Sequence, residues 1–196
     1  KKETTINDNS SPSLLKQTSE QKKAVADILK YENSFHGFLL HGVTGSGKTE
    51  VYLSITEWLL KKGKQVLVLV PEIGLTPQMI VRFEERIKDK VVAVHSQLNE
   101  TQKQDAYLMA KSGEAKVILG TRSAIFTPIP KLGLVIVDEE HDGSFKQQSN
   151  FRYSARDLSF MRAKLANIPL ILGTATPSLE TLKNVVDQKL TRLVLS

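Results

Sequence analysis

Eight consecutive residues, 42 to 49, have the types and spacing of a phosphate-binding loop. They read Gly-Val-Thr-Gly-Ser-Gly-Lys-Thr, a complete G-x-x-x-x-G-K-[ST] pattern. In such a loop the glycines turn backbone N–H groups towards an anion, the lysine reaches the β and γ phosphates, and the last hydroxyl holds Mg²⁺. A glycine-rich turn that binds nothing is the alternative, but an apolar segment precedes the loop and a helical pattern follows it, as the motif requires. The residues predicted to bind a nucleoside triphosphate here are Gly42, Val43, Thr44, Gly45, Ser46, Gly47, Lys48 and Thr49.

A second group of candidate catalytic residues follows the apolar run 134–137, which continues as Asp138-Glu139-Glu140-His141. Ligands of open α/β sheets lie at the carboxyl ends of the strands, which would bring this turn beside the phosphate loop. Asp138, with Thr49, would then hold Mg²⁺. Glu139 would orient and deprotonate an attacking water, and Lys48 would stabilise the developing charge. A surface acidic turn is the alternative interpretation of the same residues.

The elements that must position these groups follow an alternating strand and helix pattern. The predicted strands are 38–41, 65–70, 91–94, 116–120, 134–138, 170–173 and 192–195. Two of these runs, 66–70 and 134–137, are apolar at every position, which is typical of parallel strands buried on both faces. We therefore predict one α/β domain over residues 14–196, with a mostly parallel sheet covered by helices on both faces. Residues 1–13 are polar and without periodicity, which predicts a linker or a disordered tail.

Helix starts carry their own signals. Thr76 followed by Pro77 is a cap and first-turn pair, and Ser154 with Asp157 three residues later resembles a capping box. Gly113 is placed to end the helix before it.

Composition narrows the class of partner. The formal net charge is +6 and the isoelectric point is near 9.4, which favours a polyanionic partner. The absence of cysteine excludes disulfides and cysteine-based zinc sites within this chain. A reducing cytoplasm is the location expected for a chain without cysteine. No apolar run approaches the ~20 residues that span a bilayer, so we expect no membrane association.

The segment after the acidic turn mixes aromatic and basic side chains. Unpaired bases stack on aromatic rings while cations hold the phosphate backbone, so this mixture suits single-stranded nucleic acid. The alternative is that both phenylalanines are buried anchors of a long connection. The candidate contacts in this segment are Phe145, Lys146, Phe151, Arg152 and Tyr153.

Taken together, these stretches resemble the first motor domain of superfamily 2 helicases, and more closely that of the DEEH-type bacterial replication-restart DNA helicases. The matching stretches keep the order of that family and cover nearly all the chain from residue 18. They are GVTGSGKT (42–49), VPEIGLTPQ (70–78), GTRSAIFTP (120–128), VDEEH (137–141), FKQQSNFRYSARD (145–157) and GTATPSLE (173–180).

The resemblance implies a RecA-like fold and assigns further roles residue by residue. Gln21 occupies the position that hydrogen-bonds the adenine edge, which favours ATP. The positions that run along single-stranded DNA in such proteins are Glu72, Gly74, Thr76, Gln78, Thr121 and Arg122. The positions that couple nucleotide state to movement are His141, Thr174, Ala175 and Thr176.

At the level of the whole protein, the resemblance implies the ATP-binding motor lobe of a Mg²⁺-dependent 3′→5′ DNA helicase that restarts stalled replication forks in bacteria. Expected partners are single-stranded and forked DNA, primosome proteins and single-strand-binding protein. We expect this chain to be a fragment that hydrolyses ATP poorly, because a second lobe with its arginine finger is not in the sequence. A finger can contribute roughly 10³–10⁵ in rate. Zinc is expected only in parts of the protein outside this chain.

Two other functions stay open at this stage. The first is the motor lobe of another superfamily 2 protein, such as an RNA or chromatin remodeller. The second is a nucleotide-gated binding module without turnover, in which the same residues serve only as a switch.

Overall fold

A computed structural model describes residues 17–149 and 151–196. The tail predicted for residues 1–13 lies outside the described residues. The strands of the described part are β1 (Gly37–Gly42), β2 (Gln65–Leu69), β3 (Val91–Val94), β4 (Val117–Gly120), β5 (Leu132–Val137), β6 (Lys146–Gln147), β7 (Tyr153–Ser154), β8 (Leu170–Thr174) and β9 (Leu190–Leu195).

Seven of these strands form a single parallel sheet in the order β3-β4-β2-β5-β8-β1-β9. All seven strands predicted from the sequence are present, with ends within two residues of the predicted ones. The buried apolar runs were a sufficient signal because every residue of β2 and β5 is buried. The short antiparallel pair β6–β7 stands apart from this sheet.

Helices cover both faces of the sheet, as predicted. They are α1 (Ser19–Leu29), α2 (Lys48–Lys61), α3 (Pro77–Arg86), α4 (Glu100–Ser112), α5 (Ala155–Ala166) and α6 (Leu179–Val186). Buried residues of α1, α2 and α3 pack on one face, and those of α4 and α5 pack on the other, where α6 adds a partly buried contact. Alternate residues along each strand serve the two cores, because successive side chains of a strand point to opposite faces.

Local signals at the helix ends are confirmed, except that Ser154 and Asp157 form only one half of a capping box. The hydroxyl of Thr76 accepts a hydrogen bond from the N–H of Met79, and Pro77 is the first residue of α3. Ser154 caps α5 by accepting from the N–H of Asp157 at 3.2 Å. Gly113 follows α4 with a φ of 81°, in the left-handed region that glycine adopts without strain.

Candidate functional site

The candidate site lies where the carboxyl ends of β1, β8 and β5 meet. β8 is the strand between the other two, with Leu40 beside Gly173 and Val137 beside Leu172. The phosphate loop follows β1 and the acidic turn follows β5. The two motifs are therefore separated by the width of one strand, and that strand ends in the predicted coupling residues.

The phosphate loop has the backbone that its glycines allow. Gly45 and Gly47 have φ of 86° and 84°, a region that other residues rarely adopt. A Cβ on Gly42 would lie 2.4 Å from the hydroxyl of Ser46, so the loop closes tightly on itself. That hydroxyl is buried without a hydrogen-bond partner among the described residues. The first N–H groups of α2 have no acceptor within the helix, and with the helix dipole they offer a donor set suited to a phosphate.

Lys48 lies at the centre of the site, between loop and acids. It is 7% exposed, its Nζ donates to the carbonyl of Gly42 at 2.8 Å, and it lies 3.8 Å from Oε1 of Glu139. A buried ammonium is costly unless it is paired, and here its partners are Gly42, predicted to bind nucleotide, and Glu139, predicted to be catalytic. The lysine is thereby held next to both the loop and Glu139.

Asp138 is held by a partner that sequence reasoning missed. The hydroxyl of Tyr52, from the fully buried part of α2, donates to Oδ1 of Asp138 at 2.9 Å. Burial raises the pKa of Asp138, and the hydrogen bond from Tyr52 opposes that shift. Burial and the nearby acids raise the pKa of Tyr52 well above its ordinary value, so its hydroxyl stays a donor. Tyr52 thus fixes the orientation of the Asp138 carboxylate.

Gly173 makes room for this pair. A Cβ at this position would lie 1.7 Å from the Tyr52 hydroxyl and 3.0 Å from Oδ1 of Asp138. Because β8 runs between the two motifs, only a residue without a side chain lets the tyrosine reach the carboxylate. Glycine is required at this position because side chains from other elements approach it closely, and not because the backbone turns there.

The acidic turn bends at Glu139, which has a φ of 47°. This is the left-handed region, sparsely populated by residues other than glycine and costing on the order of 1–3 kcal/mol. The bend aims three consecutive side chains in different directions: Glu139 towards Lys48, Glu140 inwards, and His141 towards β8. Such strain persists where the surroundings over-determine the conformation, as they do here.

The predicted coupling residues are brought together. His141 Nδ1 lies 2.8 Å from the hydroxyl of Thr174, which in turn accepts from the N–H of Thr176 at 3.1 Å. His141 Nδ1 is also 3.7 Å from Oε2 of Glu139. The carbonyl of Ala175 lies 3.2 Å from Nε2 of His41. A direct chain of contacts therefore runs from Glu139 to the end of β8.

Gln21 lies against the phosphate loop and is 7% exposed. Its amide completes a capping box with Thr18 and donates to the carbonyl of Ser46 at 3.3 Å. A Cβ on Gly47 would lie 2.2 Å from the same amide nitrogen. The predicted contact with an adenine edge stays a prediction, and its present contacts tie α1 to the phosphate loop.

A cleft of about 310 Å³ gathers many of the residues predicted to contact nucleic acid. Its lining is Glu72, Ser96, Thr121, Arg122, Ser123, Gln147, Phe151 and Tyr153. Phe151 is 72% exposed, and its ring centroid lies 5.8 Å from that of Tyr153. Lys146 and Arg152 are exposed on the same β6–β7 segment. Gly74 and Thr76 lie in the turn that leads from Glu72 into α3, and Gln78 is the second residue of that helix.

Three residues of this predicted surface need correction or refinement. Phe145 is 2% exposed and packs in the core under α5, so it has no ring face to offer a base, and the buried-anchor alternative is right for this residue. Thr121 is 5% exposed. Arg122 donates from Nη1 to the carbonyls of Ser144 and Lys146 at 2.9 and 3.1 Å. It therefore stabilises the backbone of the aromatic segment, residues 142–154.

Four residues that the sequence did not single out belong to the site. Tyr52 orients Asp138, and Phe126, 55% exposed, packs edge-on against Tyr153 with ring centroids 4.9 Å apart. Glu140 and Arg156 form an ion pair in which the Glu140 side chain has no exposure. Phe126 in GTRSAIFTP, the third acid of the turn and Arg156 in FKQQSNFRYSARD all lie within the stretches quoted above, whereas Tyr52 lies outside them.

A parallel α/β sheet with a phosphate loop after one strand and Mg²⁺-type acids after another defines a nucleotide-binding P-loop domain of the RecA-like kind. The chain matches the model of the DEAD/DEAH box helicase family over residues 18–185, and it belongs to that family.

Two curated relatives of this chain carry the same name. The chain is 50% identical over 178 residues to Replication restart protein PriA of Haemophilus influenzae, covering 91% of this chain and 24% of that protein. It is 53% identical over 177 residues to the protein of that name from Synechocystis, covering 90% of this chain and 21% of the relative. The chain thus spans about a quarter of the length of the curated relatives that it matches.

Solved structures share the fold. RecG bound to a three-way DNA junction has a TM-score of 0.65 at 22% identity over 92% of this chain and 24% of its own. The DUF1998 helicase MrfA bound to DNA has a TM-score of 0.65 at 14% identity, over 90% of this chain and 25% of its own. These likenesses establish the architecture predicted from the sequence.

The described residues contain neither of two further patterns, metal-binding clusters and membrane-spanning helices. They include no group of three or more His, Asp or Glu side chains arranged to hold a metal ion. A divalent cation at this site would have Asp138, the hydroxyl of Thr49 and phosphate oxygens as its ligands, a set that suits Mg²⁺, which keeps several waters. No helix in this part of the chain is long and apolar enough to cross a membrane.

Proposed function

We propose that this chain is the ATP-binding motor lobe of a 3′→5′ DNA helicase, in which ATP hydrolysis drives movement along single-stranded DNA. The convergence of Lys48, Asp138 and Glu139 at the carboxyl edge of three adjacent strands carries the proposal. Family membership supports the nucleotide, and the resemblance around Gln21 supports adenine over guanine.

In this proposal each residue has one task. Lys48 binds the β and γ phosphates and stabilises charge as it develops on them. Bound Mg²⁺ would neutralise phosphate oxygens, with Asp138 and Thr49 holding it in place. Glu139 orients the attacking water and takes its proton. Tyr52 keeps Asp138 in position by donating to Oδ1.

The cleft beside β6–β7 supports single-stranded DNA as the second ligand. Phe151 and Tyr153 offer ring faces for stacking, and Lys146 and Arg152 are exposed cations beside them. Hydroxyls and helix starts such as that of α3 contact phosphates without reading sequence, so binding should tolerate different sequences.

The names of the curated relatives support a role for the whole protein in restarting replication. We include forked DNA, primosome proteins and single-strand-binding protein among its partners. A role at the bacterial chromosome would also place the protein in the cytoplasm.

Steady-state ATP turnover by this chain, with and without single-stranded DNA, tests the proposal. We expect negligible turnover but retained binding of Mg²⁺–ADP, and we expect Lys48→Ala to abolish that binding. Lys61→Ala, at the exposed far end of the same helix, is the matched control and should bind normally.

Two results would contradict this. Absence of Mg²⁺–ADP binding by the unaltered chain would remove the nucleotide site. Robust DNA-stimulated turnover by this chain alone would show that the lobe needs no partner. In the full natural protein, stimulation by RNA in preference to DNA would favour another superfamily 2 motor.

A further inference from the structure

The third acid of the turn, Glu140, has no task in the proposed chemistry. Its neighbours in sequence, Glu139 and His141, face the lysine and β8, but the Glu140 side chain points into the protein and is 0% exposed. A buried carboxylate is expensive unless it is fully paired. The residues that pair with Glu140 therefore indicate its role in the site.

Glu140 holds the start of α6. Its Oε1 accepts from the N–H of Ser178 at 2.8 Å, and its Oε2 accepts from the hydroxyls of Ser178 at 3.1 Å and Thr181 at 2.9 Å. A negative charge at a helix N-terminus is further stabilised by the helix dipole. Its backbone N–H donates to the carbonyl of Gly173 at 3.0 Å. Residues 174–177, which include the predicted coupling residues 174–176, are called the coupling segment below. Glu140 thus fastens the acidic turn to Gly173 and Ser178, the two residues that flank this segment.

Arg156 provides the positive partner. Its Nη1 lies 3.3 Å from Oε2 of Glu140 and donates to the hydroxyl of Ser178 at 3.1 Å, and its Nη2 reaches the exposed carboxylate of Glu180. The Arg156 side chain is 11% exposed. It is the second residue of α5, three residues after Tyr153 of the aromatic segment.

These contacts connect the nucleic-acid cleft to the chemical site by a short route. Tyr153 and Arg156 share the β7–α5 junction, Arg156 pairs with Glu140, and Glu140 is bonded along the backbone to Glu139. A displacement of the aromatic segment that shifts the first turn of α5 must therefore either break the Arg156–Glu140 ion pair or move Glu140 together with Arg156. Because the pair is buried, it cannot be relaxed by water.

We propose that Glu140 and Arg156 are a positioning pair that couples occupancy of the aromatic cleft by single-stranded DNA to the placement of Glu139 and the coupling segment. Neither residue touches substrate. This inference rests on the proposed function, because it presupposes that one site takes DNA and the other ATP.

The test is linkage between the two ligands, measured in the full natural protein. The affinity for a fluorescent single-stranded oligonucleotide is determined with and without a non-hydrolysable ATP analogue. Coupling factors between linked sites are typically about 5–150-fold. We expect Arg156→Ala and Glu140→Gln each to bring the factor towards 1, and the double variant to add little more.

Matched variants separate coupling from folding. Arg156 has two exposed acidic partners, Asp157 and Glu180. Glu180→Gln weakens one of these exposed contacts, leaves the buried pair with Glu140 intact and should keep the wild-type factor. Arg156→Lys keeps the charge but not the forked geometry, so an intermediate factor is expected. It also provides a readout if Arg156→Ala does not fold. A loss of melting temperature alone, with the factor unchanged, would reduce the pair to a structural role.

The outcomes distinguish the two levels of the proposal. If the wild-type protein shows no linkage between DNA and nucleotide, the proposed function itself fails. If wild-type linkage is present and Arg156→Ala or Arg156→Lys retains it in full, the positioning role is overturned while the proposed function stands. Loss of linkage in the pair variants but not in Glu180→Gln supports the inference.

Discussion

Asp138 shows at the scale of one residue how stability and function oppose each other. It is predicted to hold Mg²⁺, and the fold places it where burial raises its pKa. Tyr52 compensates part of that cost with a hydrogen bond, and Gly173 leaves the space for it. The site therefore carries a charge that the fold would be more stable without, as is common at functional sites.

Asp138→Asn should consequently raise the melting temperature at neutral pH while abolishing turnover. The folded-state pKa lies above the ordinary value of 3.8, so the folded protein binds more protons between those two values and its stability falls as pH rises through that window. The asparagine variant lacks this penalty, so its advantage in stability should be full above the folded pKa and vanish as pH falls below 3.8.

Thermal unfolding of both proteins from pH 3 to pH 8 measures this difference in stability. Exposed Asp105→Asn is the control and should change stability by less than about 0.5 kcal/mol. A variant that is less stable at pH 7 would contradict the interpretation.

At the scale of elements, the segment 142–154 divides its aromatic residues between two tasks. Phe145 enters the core at the end of a 3₁₀ turn, and Phe151 stands 72% exposed beside Tyr153. Arg122 holds the segment by its backbone carbonyls. The buried ring of Phe145 therefore anchors the segment in the core, while the exposed ring of Phe151 is accessible to a ligand.

Alanine substitutions should separate the two rings. Phe145→Ala removes a fully buried ring and should cost about 3–5 kcal/mol of unfolding free energy. Phe151→Ala should leave stability almost unchanged and ADP affinity intact but reduce DNA-stimulated ATP turnover, since a stacked base contributes about 1–3 kcal/mol.

Denaturant unfolding and turnover in the full natural protein provide the measurements. Leu165→Ala, which removes a side chain that is 86% exposed on α5, is the control for loss of surface apolar area. Unchanged DNA stimulation in Phe151→Ala would remove the stacking role.

At the scale of the whole molecule, parallel topology puts every functional group on one edge of the sheet. Strands β1, β5 and β8 end there, and the helices that follow begin there, so backbone N–H groups, acids and hydroxyls collect on the same side. The net charge of +6 adds long-range attraction for a polyanion. A chain of this kind should bind single-stranded DNA chiefly through phosphates.

We therefore expect affinity for single-stranded oligonucleotides to fall steeply with salt and to vary little with sequence. The slope of log affinity against log salt should be about −0.7 for each phosphate neutralised. Arg152→Ala should lessen the slope by about 0.7, whereas Lys61→Ala, at the opposite edge of the sheet, should leave it unchanged. Fluorescence anisotropy at several salt concentrations tests both. A slope independent of Arg152 would remove that residue from the interface.

The strands, the helix caps, the phosphate loop and the acidic turn could all be predicted from the sequence. Each depends on neighbours within a few positions. Residues 66–69 of β2 and 134–137 of β5 are apolar at every position, Thr76 caps its own helix, and Gly45 and Gly47 supply their own backbone freedom. Local spacing is enough for such features because local physics creates them.

Two features could not be predicted in this way and depend on long-range packing: which ring of the aromatic segment is buried, and which residues pair with the acids. Tyr52 lies 86 residues from Asp138, and Ser178 lies 38 residues from Glu140. Phe145 and Phe151 are the same residue type in the same segment, and only packing under α5 separates them. Contacts of this kind depend on which strands become neighbours in the sheet, and that arrangement places β8 between β1 and β5.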